Sequence, residues 1–270
     1  MCQVLKVNRS YYYEVIKHLS EPTPDPDKVL KEALKEQFEL HRENYGQRRL
    51  IVELAAIGFD VGRYKVRRLM KELGLKTRYP KRFMVTTDSK HNYRIADNVL
   101  DRQFAPAASN QVWSSDISYL WTNEGWLYLA VVIDLYSRQI VGWSVQEHMC
   151  TSLCTDALTM AWWSRKRPLG VLHHSDRGSQ YASHEYQQQL QDYKMKVSMS
   201  RKGNCWDNAP TERVFRTLKS EWLNRFNFQT KADAKVAVWE YITYYNAQRR
   251  HSALGYQSPM EFEQSMAQAS

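Results

Sequence analysis

The chain has 270 residues, a length sufficient for one sizeable hydrophobic core and at least one smaller unit. Its formal net charge of +9 indicates a polyanionic partner, most often DNA or RNA, although a basic surface can also serve solubility alone. No apolar run approaches the roughly 18 residues of a membrane-spanning helix, and the N-terminus lacks the layout of a signal peptide, so we expect a cytoplasmic protein without a membrane partner.

The N-terminal part predicts a small helical unit. We expect a helical segment and a Pro-rich linker, EPTPDPD, over residues 1–26. Hydrophobic residues at helical spacing then predict three helices separated by short glycine-containing turns, at about 28–44, 48–57 and 63–73. A helix, a short turn and a second helix form the layout of a helix-turn-helix, which we expect over residues 27–79.

The third of these helices is strongly cationic outside its apolar stripe. Its basic residues are Arg63, Lys65, Arg67, Arg68 and Lys71. Such a helix can bind DNA phosphates or enter a major groove, and an ordinary surface helix of a bundle is the alternative. Residues 62–94 alone hold eleven Lys or Arg against two acidic residues, and we expect a basic linker at 80–104.

Residues 105–229 predict an α/β domain. Three successive strand-like runs imply an antiparallel meander, and the order β-β-β-α-β-α-β-α then predicts a mixed five-stranded sheet flanked by helices. This is the order of the ribonuclease-H-like fold. A long amphipathic helix near 232–246 and an irregular tail complete residues 230–270. Cys150 and Cys154 are at helical spacing in a mostly apolar segment and are expected to be buried free thiols.

Three acidic residues occur in motifs of different structural type. Asp116 lies inside the predicted strand VWSSDISYLW, Asp176 ends the strand in LHHSDRGSQY, and Glu212 begins a helix, with 35 residues between it and Asp176. Brought together, three carboxylates could hold a pair of hard cations such as Mg²⁺, which suits in-line chemistry at a phosphodiester. The sequence therefore predicts a DNA-cutting and DNA-joining site.

Each acid also has a structural explanation. Asp116 could lie on the exposed side of a strand, Asp176 precedes glycine as turn residues do, and Glu212 could form a surface ion pair. Asp207 or Asn208 is expected to cap the Glu212 helix. For His173 and His174, a structural role or a DNA contact outweighs binding of Mg²⁺, which prefers oxygen.

Basic and aromatic residues near Glu212 could contact DNA. Lys219 and Arg216 lie on the same helical stripe as Glu212, where they could grip the DNA backbone. The preceding loop, SRKGNCWDN, could present cations and a stacking ring to the end of a strand, through Arg201, Lys202 and Trp206. An aromatic ring at this place could instead simply cover the core.

At these residues the chain closely resembles transposases with a retroviral-integrase-type catalytic core. More narrowly, it resembles the catalytic, second-reading-frame product of the large bacterial insertion-sequence family numbered three. The matching stretches run in order from about residue 40 to residue 263. They are YGQRRL, VRRLMKELGL, NQVWSSDISYL, VVIDLYSRQIVGW, HHSDRGSQY, SRKGNCWDNAPTE, FRTLKSEW and YNAQRRHSALGYQSPMEF.

The resemblance implies that Asp116, Asp176 and Glu212 are catalytic and bind two Mg²⁺, for which Mn²⁺ substitutes. Lys219 is then the basic residue seven positions after the glutamate. The implied reaction cuts the ends of a mobile element to free a 3′-OH, which attacks another phosphodiester. The implied partners at the bacterial nucleoid are double-stranded DNA (terminal inverted repeats and target), further copies of the chain, at least as a dimer, and the upstream-frame product.

Family members typically act as a fusion whose upstream part holds another helix-turn-helix and a leucine-zipper-like segment. This chain begins at MCQVL and shows no sustained heptads. We therefore expect recognition of the terminal repeats and assembly of multimers to be incomplete in this chain.

Two other classes of function remain open at the level of the residues. A ribonuclease-H-type nuclease uses a similar acidic cluster but does not join DNA ends, and the basic helical region and the 35-residue spacing argue against it. A non-catalytic DNA-binding protein that competes for DNA ends would use only the basic helical region.

Overall fold

The structure is a computed structural model that describes residues 7–20, 25–77, 93, 95–202 and 204–268, without the side chains of 18–20 and 205. Part of the Pro-rich linker and most of the expected basic connector lie outside these residues. The chain divides into two compact units, Met1–Thr77 and Arg78–Ser270, and each is described by itself.

The first unit is helical, as predicted. It contains α1 Arg9–Ser20, α2 Lys28–Leu40, α3 Gln47–Ala56 and α4 Arg63–Glu72. Gly74 follows α4 with a φ of +67°, a left-handed conformation that glycine adopts without strain. The apolar stripes of α2, α3 and α4 form a small core with Tyr45: Leu30, Leu34, Phe38, Leu50, Leu54, Val66 and Leu69.

The second unit is built on a five-stranded sheet. Its strands are β1 Val112–Thr122, β2 Gly125–Asp134, β3 Ile140–Gln146, β4 Leu172–Ser175 and β5 Lys196–Met199. The order is β3-β2-β1-β4-β5, with antiparallel β1–β2 and β2–β3 pairs and parallel β1–β4 and β4–β5 pairs. The predicted meander and mixed sheet are confirmed. The helices of this unit are α5 Thr151–Ser164, α6 Ser179–Ala182, α7 His184–Asp192, α8 Ala209–Glu221, α9 Lys231–Ala247 and α10 Pro259–Gln268.

Helices cover both faces of the sheet, because successive strand residues point to opposite faces and both faces are apolar. Against α8 and α9, the sheet contributes Leu127, Leu129, Val131 and Ile133. Against α5 and α7, it contributes Trp113, Ala130, Val132 and Val141. The approach of β3 to α5 is closest at Gly142, where a Cβ atom would overlap the backbone of Ala157. Both hydrophobic layers hold β1 rigidly in the middle of the unit.

Two ion pairs attach the C-terminal segment to this unit. Arg249 is buried and donates two hydrogen bonds of 2.6 Å to Glu221 at the end of α8. Arg165, directly after α5, donates to both carboxylate oxygens of Glu263 on α10, at 2.7 and 3.0 Å. Each pair joins segments far apart in the sequence, so α10 and the segment before it are part of the same folded body.

The cysteine expectation is only partly confirmed. Cys154 is buried, as predicted, but Cys150 is exposed, and the prediction is wrong for it. The reason is that Cys150 precedes α5 at the N-cap position instead of lying on the buried face of the helix. None of the helices in the described ranges is long and apolar enough to cross a membrane.

Candidate active site

Two of the three expected acids lie at the same level on neighbouring strands. The parallel β1–β4 pair places Ser114 opposite His174. Asp116 is two residues after Ser114, and Asp176 is two residues after His174, where β4 has just ended. Because adjacent strands are about 4.8 Å apart, this register brings the two carboxyl groups next to each other.

The first turn of α8 brings Glu212 to the same place through polar contacts with β1. Asn208 donates from Nδ2 to the backbone oxygen of Ser115 at 3.1 Å and accepts from Ser114 Oγ at 2.6 Å. Thr211 Oγ1 donates to Ser114 Oγ at 2.8 Å. These groups are buried, and Glu212 is the next residue of the helix. The contacts therefore fix the backbone of Glu212 beside β1.

The three carboxyl groups affect one another electrostatically. Burial raises the pKa of Asp116 well above its ordinary value, and the charges of Asp176 and Glu212 raise it further. Burial and the charge of Asp176 also raise the pKa of Glu212. In the described part of the chain, no group of three or more His, Cys, Asp or Glu side chains is arranged so that it could hold a metal ion as it stands. The site is thus a cluster of neighbouring carboxylates, in which the charge of Lys219 partly offsets the effects that raise the pKa of Asp116.

The turn after β4 holds Asp176 through its own backbone. Gly178 N donates to Asp176 Oδ1 at 2.8 Å, and Arg177 Nε donates to the backbone oxygen of Ser200. A Cβ atom at Gly178 would lie only 3.0 Å from that Oδ1. The turn that the sequence suggested is therefore present, and it places the carboxylate beside Asp116.

His173 and His174 have the structural role, because both are fully buried and both contact hydroxyl groups of the fold. His173 Nε2 lies 2.8 Å from Ser115 Oγ and 3.0 Å from Tyr186 Oη. The ring nitrogens of His174 lie 2.9 and 3.1 Å from two serine hydroxyls on β5 and directly after it. Burial lowers the pKa of His173 to about 3 and that of His174 to about 4, so both rings are neutral at pH 7.

Of the two basic residues expected on α8, Lys219 lies next to the acids and Arg216 is exposed. Lys219 Nζ lies 4.4 Å from the centroid of the Tyr119 ring. Burial lowers the pKa of Lys219 to about 8, and the nearby charge of Asp116 acts in the opposite direction. Lys219 therefore brings a cation to the edge of the carboxylate cluster.

Asp207 has a different role from the predicted helix cap. Its buried side chain lies in the 3-10 helix Cys205–Asn208 and accepts hydrogen bonds from the backbone and guanidinium of Arg201, from Arg102 and from Asn98. Asn208 holds the N-cap position of α8, but its side chain makes no capping bond. The hydrogen bonds from Arg201 hold the pKa of Asp207 well below its ordinary range. Asp207 thus anchors the loop before α8.

The loop residues expected to contact DNA differ in their surroundings. The guanidinium of Arg201 is bound to Asp207 and also lies 3.2 Å from Asp101. Lys202 is exposed, and Trp206 is 69% exposed, so its ring does not cover the core. Only Lys202 and Trp206 therefore present their side chains mainly to solvent.

The five cations of α4 also fall into two groups. Lys65 and Arg68 bind Asp27 at 2.7 and 2.6 Å. Over the residues that the structure covers, the other three form no ion pair and line one exposed edge at helical spacing: Arg63, Arg67 and Lys71.

The sequence did not predict which side chains position Glu212. These are Ser114, Thr211 and Asn208, the last of which was expected only as a helix cap. A signal was present, because Ser114 shares a strand face with Asp116. A serine buried in a strand needs a hydrogen-bond partner, and the polar residues before α8 supply it.

Models of known families match most of the described chain. Two models described as an integrase core domain match residues 106–205 and 193–259. A model described as an HTH-like domain matches residues 24–83.

Curated relatives match almost the whole chain. A protein from Shigella sonnei described as "Insertion element IS600 uncharacterized 31 kDa protein" is 46% identical over 265 residues, which cover 98% of this chain and 97% of the relative. "Transposase InsF for insertion sequence IS3A" from Escherichia coli (strain K12) is 39% identical over 270 residues, covering 97% of this chain and 92% of the relative.

A solved structure shares the fold. The chain aligns with one in the simian T-cell lymphotropic virus intasome in complex with PP2A regulatory subunit B56 gamma, with a TM-score of 0.50 and 17% sequence identity. The alignment covers 86% of this chain and 74% of the other. At this identity the likeness concerns the fold alone, and it agrees with the expected ribonuclease-H-like architecture.

Proposed function

The chain belongs to the IS3 family of insertion-sequence transposases, and we propose that Asp116, Asp176 and Glu212 are its catalytic residues. It is a DDE-type polynucleotidyl transferase that acts in DNA transposition. In cleavage, the oxygen of water bonds to phosphorus, the bond to the 3′ oxygen breaks, and a 3′-OH is released. In strand transfer, that 3′-OH attacks a second phosphodiester. One ester replaces another, so the step needs no ATP.

The observation that carries the proposal is the convergence of three carboxyl groups from β1, the turn after β4 and α8. Their mutual repulsion and the burial of Asp116 raise its pKa, so a cation among them would be strongly favoured. Oxygen-only ligands suit Mg²⁺ or Mn²⁺. We infer that Asp116, Asp176 and Glu212 hold two such ions. When bound, these ions polarise the phosphodiester and make the attacking oxygen more nucleophilic.

The other residues of the site bind and orient the DNA strand. Lys219 lies beside Asp116, where its ammonium group can hold a phosphate oxygen next to the carboxylates. Arg216, one turn earlier on α8, is exposed and can contact the neighbouring backbone. Lys202 and Trp206 extend this surface, while Arg201 supports it by holding Asp207. Asn208 keeps Glu212 in place through β1.

The helical unit supplies binding to double-stranded DNA, in our proposal, at element ends and at the target. Arg63, Arg67 and Lys71 contact phosphates or base edges, and Lys65 and Arg68 act from the side of α4 that faces Asp27. We also propose the domain division that the sequence predicts: a helix-turn-helix at 27–79, a linker at 80–104 and a catalytic core from residue 105. We propose that at least two copies act together on DNA at the bacterial nucleoid, with the upstream-frame product as a further partner.

Three substitutions test the catalytic assignment: Asp116→Asn, Asp176→Asn and Glu212→Gln. Each removes one negative charge and changes the size of the side chain little. We expect each to reduce cutting and joining on the order of 10³-fold or more, because the lost charge stabilises the transition state. Asp192→Asn is the matched control, since Asp192 is an exposed acid on α7. Binding of DNA should change little in all four variants.

The assay uses oligonucleotides carrying the ends of the element, with Mg²⁺ or Mn²⁺, and denaturing gels resolve cut and joined strands. Joining at the unmodified rate by any of the three carboxylate variants would refute the assignment. Cutting without any joining by the unmodified chain would favour a ribonuclease-H-type nuclease. Absence of metal-dependent nicking would favour a non-catalytic DNA-binding protein.

A further inference from the structure

Three aromatic rings form a cluster at the free end of the β1–β2 hairpin. They belong to Tyr119, Trp121 and Trp126, and we call them the hairpin aromatic cluster. The Tyr119 and Trp126 rings meet edge to face with centroids 5.1 Å apart, and those of Trp121 and Trp126 are 4.8 Å apart. Trp121 and Trp126 are directly opposite each other in the strand register.

The two indole rings are largely uncovered within the unit that contains them. Trp121 is 54% exposed and Trp126 is 45% exposed. Other residues of β1 and β2, such as Leu120 and Leu127, are buried. Cross-strand pairing accounts for the contact between the rings but not for their exposed faces. Large exposed aromatic surfaces are typical of binding sites.

The hairpin aromatic cluster leaves β1 on the face opposite to Asp116, and it meets the carboxylate site around the edge of that strand, where pairing with β4 has ended. Tyr119 is three residues after Asp116 on β1, a distance of about 10 Å at the rise of an extended strand. Lys219, seven residues after Glu212 on α8, lies with its Nζ 4.4 Å from the centroid of the Tyr119 ring. Lys219 therefore links the two faces at this edge, and a strand that passes from the carboxylates over Lys219 and around the edge would bring its following bases to the rings.

Hydrogen bonds at the tip hold the hairpin in place. Asn123 N donates to the backbone oxygen of Phe228 at 3.0 Å, and Asn123 Nδ2 donates to Gln229 Oε1 at 2.7 Å. Thr122 Oγ1 donates to the backbone oxygen of Gly125 at 2.8 Å. The rings are thus carried by a rigid support, so little conformational freedom is lost when a ligand stacks on them.

We propose that the hairpin aromatic cluster binds unpaired bases of the DNA strand whose phosphodiester lies at the carboxylates. Ring faces recognise bases by stacking, which requires bases that are separated from their partners. The cluster would therefore favour DNA ends that are opened next to the cleavage site. The inference rests on the proposed function, because that function places the strand. A second copy of the chain is a less suitable occupant, because it would cover the entrance for DNA.

The test compares binding of two DNA ends by the full chain without divalent ions. One end is fully paired, and the other has three non-complementary bases at the cleavage site. We expect the unmodified chain to bind the opened end about tenfold more tightly, as stacking of one or two bases allows. Trp121→Ala and Trp126→Ala should remove this preference. Trp163→Ala is the matched control, since Trp163 on α5 is 59% exposed and should leave the preference intact.

Further measurements keep the result interpretable. Trp126→Phe retains an aromatic ring and should keep most of the preference, and melting by circular dichroism checks that each variant is folded. The proposal is overturned if folded Trp121→Ala and Trp126→Ala retain the preference, or if both change only the oligomeric state. Because no cutting is measured, failure here leaves the catalytic assignment intact. Failure of the carboxylate variants to lose activity would contradict the proposed function instead.

Discussion

The helical unit and the sheet unit hold their charged side chains in different environments. In the helical unit, Asp27 binds Lys65 and Arg68, whose side chains are 45% and 58% exposed. Asp27 itself is 13% exposed. In the sheet unit, Asp207 is 0% exposed, and its partners Arg102 and Arg201 are 45% and 47% exposed. The cations are thus similarly exposed in both units, and the difference lies in the burial of the acid and in the further hydrogen bonds that Asp207 accepts. Exposed ion pairs stabilise a fold only slightly, whereas removal of one buried partner leaves a charge uncompensated. Charges in the first unit can therefore vary with the bound DNA, while those in the second fix geometry.

The largest expected effect on the free energy of unfolding comes from Asp207, and it is best compared with the effect of Asp27, the acid at the centre of the ion pairs in the helical unit. Asp207→Ala should lower the free energy of unfolding by about 2–3 kcal/mol, less than for a fully buried pair because both arginines are half-exposed. Asp27→Ala should lower it by less than about 1 kcal/mol. Calorimetry on the full chain measures both. Equal losses would remove the contrast between the units.

The next largest effect is expected when the hydrogen bonds of Asn208, which join α8 to β1, are removed. Asn208→Ala removes three buried hydrogen bonds and should lower the free energy of unfolding by about 1–3 kcal/mol. Because Glu212 loses its support, we expect kcat for cutting to fall more than affinity for DNA. Asn204→Ala is the control, since among the described residues the Asn204 side chain accepts a hydrogen bond from the backbone N of the exposed Trp206 and contacts neither β1 nor Glu212 through a hydrogen bond. Similar kinetic losses in both variants would argue against a positioning role.

The neutral histidines make the stability of the sheet unit depend on pH. The pKa of His173 falls from 6.5 to about 3 on folding, so between these values the unfolded chain binds a proton that the folded chain does not. The resulting stability is complete above pH 6.5 and is lost as the pH falls, by about 1.4 kcal/mol per pH unit. In His173→Gln, the free energy of unfolding, measured with urea between pH 6 and 4, should depend less steeply on pH. The decrease in slope should correspond to about one bound proton. An unchanged slope would mean that His173 is already protonated in the folded chain.

The smallest expected effect separates the two groups of cations on α4. Lys71→Ala should weaken DNA binding and reduce the slope of log K against log salt concentration by about one, because one phosphate contact is lost. Lys65→Ala should change the slope less, because Lys65 is partly neutralised by Asp27. Fluorescence anisotropy at several salt concentrations measures both. A larger change in the slope for Lys65→Ala than for Lys71→Ala would contradict the proposed division of the α4 cations into two groups.

The sequence predicted the elements well where a periodic pattern is long. The apolar runs gave all five strands, and α4 agrees with its predicted range to one residue at its end. The roles of single polar residues were harder to predict. Asp207 was expected to cap a helix, because a cap and a buried ion site both place an aspartate before a helix. Its partners Arg102 and Asn98 are more than 100 residues away in the sequence.

The carboxylate site was easier to anticipate, because an acid in the middle of an apolar strand is costly unless it has a function. That argument applied to Asp116, the end of a strand and the start of a helix pointed to Asp176 and Glu212, and the resemblance then implied a catalytic role for all three. Neither could show that Lys219 would contact Tyr119, since α8 and β1 come together only through the packing of the fold. The sequence pattern of one segment indicates which chemical groups it carries, whereas the packing of distant segments determines which side chains contact each other.

The two ion pairs that hold the C-terminal segment have a consequence for incomplete gene copies. Arg249 forms an ion pair with Glu221 on the helix that carries Glu212, and Glu263 forms one with Arg165 on the opposite side of the sheet. A product that stops after α9 would lose both pairs: Glu221 would lose Arg249, and Arg165 would keep only the more distant Asp134, at 3.5 Å, of its two carboxylate neighbours. We expect such products to be degraded rather than to persist as inhibitors, so decayed copies of the element should not silence an intact one.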